Sequence, residues 1–279
     1  MNPALAALLE GNQLQVLDDN LFLGRGTWGS GVRLYGGEVM SQSLSAAQHT
    51  VPDEFALHSM HAYFMRPGDP ARPVIYDVEK IRDGRSILSR RVTARQHGRA
   101  IYSCQSSFQK REQGFEHQSP MPRVPGPESL KTDQALFAEQ PNSFRRPSHW
   151  PVEFRQVHPL IAEGAAVPAG NQVWMKADGR LPDALAIHQQ ILAFASDNHL
   201  LSTALRPHGV RSLSTEIQGA TIDHSLWFHR PFRIDDWLLF DLHSPTAVNS
   251  RGLNLGYIYD LAGNLVATAA QEGLIRKVT

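Results

Sequence analysis

The chain has 279 residues, 42% hydrophobic and 19% charged, an ordinary balance for a protein that buries a sizeable core. Basic and acidic residues number 27 each, so no global basic field exists to hold nucleic acid, although a local basic pocket for a phosphorylated ligand stays open. Cys104 is the one cysteine, which excludes an internal disulfide and suits a reducing compartment. The N-terminus lacks the basic start of a signal peptide and reads as a short helix. No stretch reaches the ~20 apolar residues that span a bilayer. The expectation is a cytoplasmic protein with no membrane partner.

In chain order, Gly36-Gly37 leads into a segment with Met40, Leu44, Ala47 and Val51 at helical spacing, closed by Pro52. A strand-like run, HSMHAYFM, ends at Arg66-Pro67. Three more follow, VIYDVEKI, SILSRRVTARQ and RAIYSCQSSFQ, separated by turns at Asp83-Gly84 and His97-Gly98. The first half therefore reads as a strand, a helix and about four antiparallel strands.

From Lys110 to Trp150 the chain holds six of the 18 prolines and reads as a linker with a short helix near Glu128–Glu139. The expected division is a unit at 1–109, a linker at 110–150 and a second unit at 151–279. The second half repeats the order of the first. PVEFRQVHPL and QVWMKA are strand-like, and LPDALAIHQQILAFAS is a helix apolar on nearly every side, hence buried. ATIDHSLWFH, DDWLLFDLHS, LNLGYIYD and NLVATAAQ are the later strands, the last two joined at Ala262-Gly263. An extra stretch, NHLLSTALRPHGVRSLSTEIQG, follows the helix.

Phe-x-Arg-Pro occurs at Phe64–Pro67 and again at Phe228–Pro231. Gly98 lies 31 residues beyond Pro67, and Gly263 lies 32 beyond Pro231. A repeated element at a matched distance signals internal duplication. A buried helix wrapped by a long antiparallel sheet is the hot-dog architecture. Two such units give an α+β double hot-dog, one continuous antiparallel sheet around buried helices near 38–51 and 181–196.

These residues resemble the acyl-CoA thioesterase II family. The matching stretches are VRLYGGEVMSQSL, HSMHAYFMRPGD, PVIYDVEKIRDGRSILSRRV, Gln113–Glu116, FASDNHLL, ATIDHSLWFHRPF, DDWLL and AAQEGLIR, in order along nearly the whole chain. The resemblance implies hydrolysis of fatty acyl-CoA to fatty acid and coenzyme A, with no metal or organic cofactor and no covalent nucleophile. It assigns a water-activating set to Asp197, Thr221 and Gln271. It also implies a homo-oligomer, a dimer or tetramer.

The residue types are compatible with those roles and with plainer ones. Asp197 ends an apolar helix, where a carboxylate meets the negative end of the helix dipole. Poor solvation there raises a pKa and makes a better base. Its plainer role is to cap the next helix, and the residues alone favour that; the resemblance favours catalysis. Thr221 and Gln271 lie on separate strands, where a β-branched residue and an edge polar group are ordinary. Gly36 and Gly37 form either an oxyanion site at a helix start or a strand-to-helix turn. Arg82, Arg85, Arg90 and Arg91 surround a hairpin turn and suit coenzyme A phosphates, or simply solvate the hairpin.

His58, His61, His224 and His229 lack the companions of a recognisable metal set. Cys104 reads as a buried thiol. His224 beside Asp223 keeps open a hot-dog hydratase or dehydratase with an acid–base pair. A non-catalytic acyl-CoA-binding protein is the other alternative, opposed by the complete Asp197–Thr221–Gln271 set.

Overall fold

The computed structural model describes residues 2–28, 32–139, 150–158, 164–211 and 216–278. Helix α1 (Pro3–Gly11) opens the chain, capped by Asn2, whose Oδ1 accepts from Ala4 N at 2.8 Å. Strands β1 (Gln15–Asp18) and β2 (Leu21–Gly24) form a hairpin and lead to helix α2 (Gly36–Gln48). Four long strands follow: β3 (Phe55–Phe64), β4 (Val74–Asp83), β5 (Ile87–Gln96) and β6 (Arg99–Lys110). His97 and Gly98 join β5 to β6 with φ of 50° and 71°, the two positive values that a tight hairpin turn requires.

Residues 111–126 have no regular structure, and the helix expected near 128–139 is a 3₁₀ turn (Pro127–Ser129) followed by α3 (Asp133–Ala138). This segment crosses the outer face of the second half. Gln118 donates to Gly263 O, Trp174 Nε1 donates to Pro125 O, and Met121, Val124 and Leu130 pack on Trp174, Trp237, Leu239 and Tyr259. The remainder of the expected linker, residues 140–149, lies outside the described residues.

The second half contributes β7 (Val152–Gln156), β8 (Gly170–Ala177), α4 (Leu185–Ser196), α5 (Leu200–Leu205), β9 (Ile217–Thr221), β10 (Asp223–Phe228), β11 (Leu238–Val248), β12 (Arg251–Asp260) and β13 (Leu265–Lys277). The end of the expected strand PVEFRQVHPL, from residue 159, and residues 212–215 of the extra stretch fall outside the described residues. What is described of that stretch forms α5, a 3₁₀ turn and β9, which pairs with β13.

All the described strands join one antiparallel sheet, ordered β1-β2-β4-β5-β6-β3-β10-β13-β12-β11-β8-β7, with β9 paired to β13 off this path. Its two halves mirror each other in order, so the internal repeat is a pseudo-two-fold. The seam is β3 against β10, with Ala62 opposite His224 and Met60 opposite Leu226. Both helices lie under the sheet and pack on each other.

Helix α4 is buried from His188 to Ser196, as its apolar sequence dictates. Helix α2 is buried from Gly37 to Ala47 despite carrying Glu38, Ser41, Gln42, Ser43 and Ser45. Several of those polar groups find distant partners: Asn12 donates to Ser41 Oγ, Ser45 donates to Asn12 O, Gln42 donates to Arg25 O, and Tyr76 donates to Gln42 Oε1. Among the described residues no helix is long and apolar enough to cross a membrane. Cys104 is buried, and burial pushes its thiol up to about 11.

Candidate active site

Asp197 is the residue that ends α4. Its carboxylate is half-buried and takes hydrogen bonds from three separate elements. Oδ1 accepts from Thr221 Oγ1 at 3.2 Å and from Gln271 Nε2 at 2.9 Å. Oδ2 accepts from Gly37 N at 3.1 Å. Asp197 thus sits against the N-terminus of α2. The positive end of one helix dipole offsets the negative end of the other. Burial raises the Asp197 pKa; the donors Thr221, Gln271 and Gly37 and the charge of Arg33 pull it back, and the net direction is upward.

Glycine is required where α2 starts. A Cβ on Gly36 would lie 2.8 Å from Asp197 Oδ2, and one on Gly37 would lie 2.4 Å from Phe194 O. Either side chain would drive the two helix ends apart. Tyr35, just before Gly36, donates to Phe194 O at 2.9 Å, and Asn198 Nδ2 donates to Tyr35 Oη at 2.6 Å. Trp28, Tyr35, Trp150 and Phe194 form an aromatic cluster behind this junction, with ring centroids 4.9–6.0 Å apart. Glu38, one residue past Gly37, accepts from the N–H groups of Thr27 and Trp28. Burial pushes its carboxyl up to about 7.

Thr221 is the last residue of β9, and Gln271 is fully buried in β13. Gln271 Nε2 also lies 3.1 Å from His224 Nδ1, and His224 Nε2 lies 3.1 Å from Ser196 Oγ. His224 has no exposed surface, and burial pushes its pKa down to about 3, so the ring is neutral. Both of its nitrogens are engaged, while Asp223, one residue away on the strand, accepts from Glu272 N. His224 and Asp223 therefore do not converge as an acid–base pair.

The arginines are placed elsewhere. Arg90 is 2% exposed and closes the C-terminal end of α2. Nε donates to Thr50 Oγ1, Nη2 to Thr50 O and Nη1 to Arg82 O and Ser89 O, with Asp83 Oδ1 at 2.7 Å. A helix of 13 residues is about 20 Å long at ~1.5 Å per residue, so Arg90 lies a helix length from Asp197. Arg91 pairs with Glu79 on the surface, and Arg82 is exposed beside the same turn. The structure thus joins Asp197, Thr221, Gln271, Gly36 and Gly37, and leaves Arg82, Arg90 and Arg91 apart from them.

His58, His61 and His229 each bond a Ser or Thr hydroxyl. No group of three His, Cys, Asp or Glu among the described residues is arranged to hold a metal ion. Sequence reasoning missed Tyr35, Asn198 and the engagement of His224. The signal for His224 was a histidine on the inward face of a strand, between Asp223 and Ser225.

Comparison with known proteins fits this geometry. The acyl-CoA thioesterase family profile matches residues 141–274, and the profile of the acyl-CoA thioesterase N-terminal domain matches residues 25–109. Acyl-CoA thioesterase 2 of Haemophilus influenzae is 39% identical over 285 residues, covering 99% of both chains. Human acyl-coenzyme A thioesterase 8 is 38% identical, covering 94% of this chain and 86% of its own. The structure of an acyl-CoA thioesterase II from Mycobacterium marinum superposes with a TM-score of 0.82 at 36% identity, covering 98% and 99% of the two chains. A hot-dog protein from Alicyclobacillus acidocaldarius, 19% identical, shares the fold with a TM-score of 0.79. With a carboxylate gripped between two helix ends inside a double hot-dog sheet, and relatives aligned along nearly its full length, this chain belongs to the acyl-CoA thioesterase family.

Proposed function

We propose that this acyl-CoA thioesterase hydrolyses fatty acyl-CoA with a water activated by Asp197, oriented by Thr221 and Gln271. The observation that carries the reading is the single carboxylate held by donors from α2, β9 and β13. The raised pKa makes Asp197 a stronger base than an ordinary surface carboxylate. Water attacks the thioester carbon as its proton passes to Asp197. The tetrahedral intermediate then expels the coenzyme A thiolate, which recovers that proton. The products are a carboxylic acid and the free thiol.

Thr221 Oγ1 has lone pairs to accept a hydrogen of that water. The Oε1 of Gln271 is buried and takes no hydrogen bond among the described residues, so it is an alternative acceptor for the hydrogen that does not pass to Asp197. The start of α2, at Gly36 and Gly37, is the region of positive potential that favours the developing oxyanion. No step uses a covalent nucleophile.

Thiol release from decanoyl-CoA, followed with a thiol reagent, tests the activity, and mass spectrometry of enzyme quenched in turnover tests the mechanism. A covalent acyl adduct, or full activity in Asp197→Asn, overturns it. The same reading carries forward two units at 1–109 and 151–279, cytoplasmic placement and a homo-oligomer. A light-scattering mass near 31.0 kDa at micromolar concentration sinks the last of these.

A further inference from the structure

The fully buried His224 takes no part in the mechanism above, yet it touches one of its members. Gln271 Nε2 carries two hydrogens. One points to Asp197 Oδ1 at 2.9 Å and the other to His224 Nδ1 at 3.1 Å. Nδ1 must therefore be the unprotonated nitrogen, and the ring hydrogen sits on Nε2. That hydrogen faces Ser196 Oγ at 3.1 Å, and Ser196 in turn donates to Ala193 O at 3.1 Å inside α4. The bonds run with one polarity, from the amide of Gln271 to the ring and from the ring to the backbone of α4.

We propose that His224 is a positioning residue whose unprotonated Nδ1 locks the Gln271 amide with its NH2 toward Asp197, leaving its carbonyl oxygen for the water. A flipped amide would set its oxygen against both the Asp197 carboxylate and the Nδ1 lone pair. Without the ring, one amide hydrogen is orphaned and the side chain gains a competing orientation. Burial keeps the ring neutral across the working range, so this polarity does not reverse near neutrality.

The other half of the molecule shows that the fold does not demand this pair. Met60 precedes Pro67 by the same seven residues that separate His224 from Pro231, and Ser106 follows Gly98 by the same eight that separate Gln271 from Gly263. Met60 and Ser106 face each other across β3 and β6, and both are fully buried. A thioether and a small hydroxyl residue fill the equivalent positions there.

The inference rests on the proposed role of Gln271, and the test separates the two. His224→Leu lowers kcat by about 10²-fold with KM within about twofold. His224→Asn, whose Oδ1 can replace Nδ1 as acceptor, recovers at least roughly tenfold of that loss. In a Gln271→Ala background, His224→Leu causes no further fall in kcat. Nitrogen chemical shifts of labelled histidine in the wild-type enzyme, with His224→Asn identifying the signal, report a neutral ring protonated at Nε2.

If Gln271→Ala is impaired while His224→Leu is normal, the positioning role is wrong and the water mechanism stands. An equal fall from His224→Leu with and without Gln271, no recovery in His224→Asn, or a ring protonated at Nδ1 also overturns it. The nitrogen spectrum decides the matter if the leucine variant does not fold. Normal kcat in Gln271→Ala removes the underlying reading as well.

Discussion

Helices α2 and α4 occupy equivalent places in the two repeats, and their C-terminal ends have been put to different uses. Asp197 ends α4, half-buried, with three donors converging on its carboxylate. His49 ends α2, and its exposed ring packs edge-on against Phe22. The residue after it, Thr50, is held by Arg90, which caps that end with two hydrogen bonds and ties it to the β4–β5 hairpin with two more, to Arg82 O and Ser89 O. One helix end carries a carboxylate held by three donors, and the other is sealed by a buried guanidinium. Duplication supplied two equal scaffolds; on the reading proposed above, a handful of side chains assigns the chemistry to one of them.

The comparison breaks most visibly on the two cap residues. Asp197→Asn is expected to lower kcat by ~10²–10⁴-fold with little change in KM. His49→Asn, at the matching position, is expected to stay within about twofold of wild type, as surface changes do. Thiol-release kinetics on both variants settle it, and comparable losses would mean that the two ends are not different in kind.

Next come the strand residues. Thr221→Ala and Gln271→Ala each remove a hydrogen bond to a charged group; Thr221→Ala should lower kcat by about tenfold or more and Gln271→Ala by at least about 10²-fold, because His224 acts through it. Combined with Asp197→Asn they should be less than additive, as the proposed action of all three on one water requires. Ser106→Ala, at the counterpart of Gln271, should leave kcat unchanged in the same assay.

The sealed end is tested through stability. Arg90→Met strips the carbonyls of Thr50, Arg82 and Ser89 of their donor, which should cost about 2 kcal/mol in a denaturant titration. The kinetic constants for acyl-CoA should not move. A raised KM at unchanged stability would instead place Arg90 on the substrate.

The smallest effect is in pH. Because the folded pKa of Asp197 lies above the ordinary carboxylate value of about 3.9, kcat/KM should fall with decreasing pH at a point displaced upward from that value. Gln271 donation lowers the Asp197 pKa, so Gln271→Ala should move this limb to still higher pH. A downward move would mean that the limb belongs to another group.

Much of the fold was legible because its signals are local. Glycine turns at Asp83-Gly84 and His97-Gly98 bound the strands, α4 is apolar all round, and Phe-x-Arg-Pro recurs. Asp197, Thr221 and Gln271 were legible through family resemblance; each has an ordinary structural use, and their convergence joins positions 24 and 74 residues apart. What stayed hidden depends on remote partners. Nothing near Ser41 and Ser45 in sequence points to Asn12, some 30 residues away, which meets both. Arg90 looked like a phosphate ligand because nothing near it in sequence shows that it closes a helix. Gly37 was read as an oxyanion site or a strand-to-helix turn, and nothing near it in sequence shows that its N–H meets a carboxylate 160 positions away.

The seam between β3 and β10 also has a history in time. Tyr63 and its partner Asp223 are 160 residues apart. At a synthesis rate of ~5–20 residues per second, β3 waits roughly 8–30 s for the strand that completes the sheet. During that interval one edge of β3 is covered by β6 and the other is a bare row of amides and carbonyls, a template for the wrong neighbour. The nascent chain therefore passes through a window in which it depends on its surroundings more than the finished enzyme ever does. Chains arrested just short of residue 223 should be captured by chaperones more than full-length chains, and equal capture would show that the edge is shielded some other way.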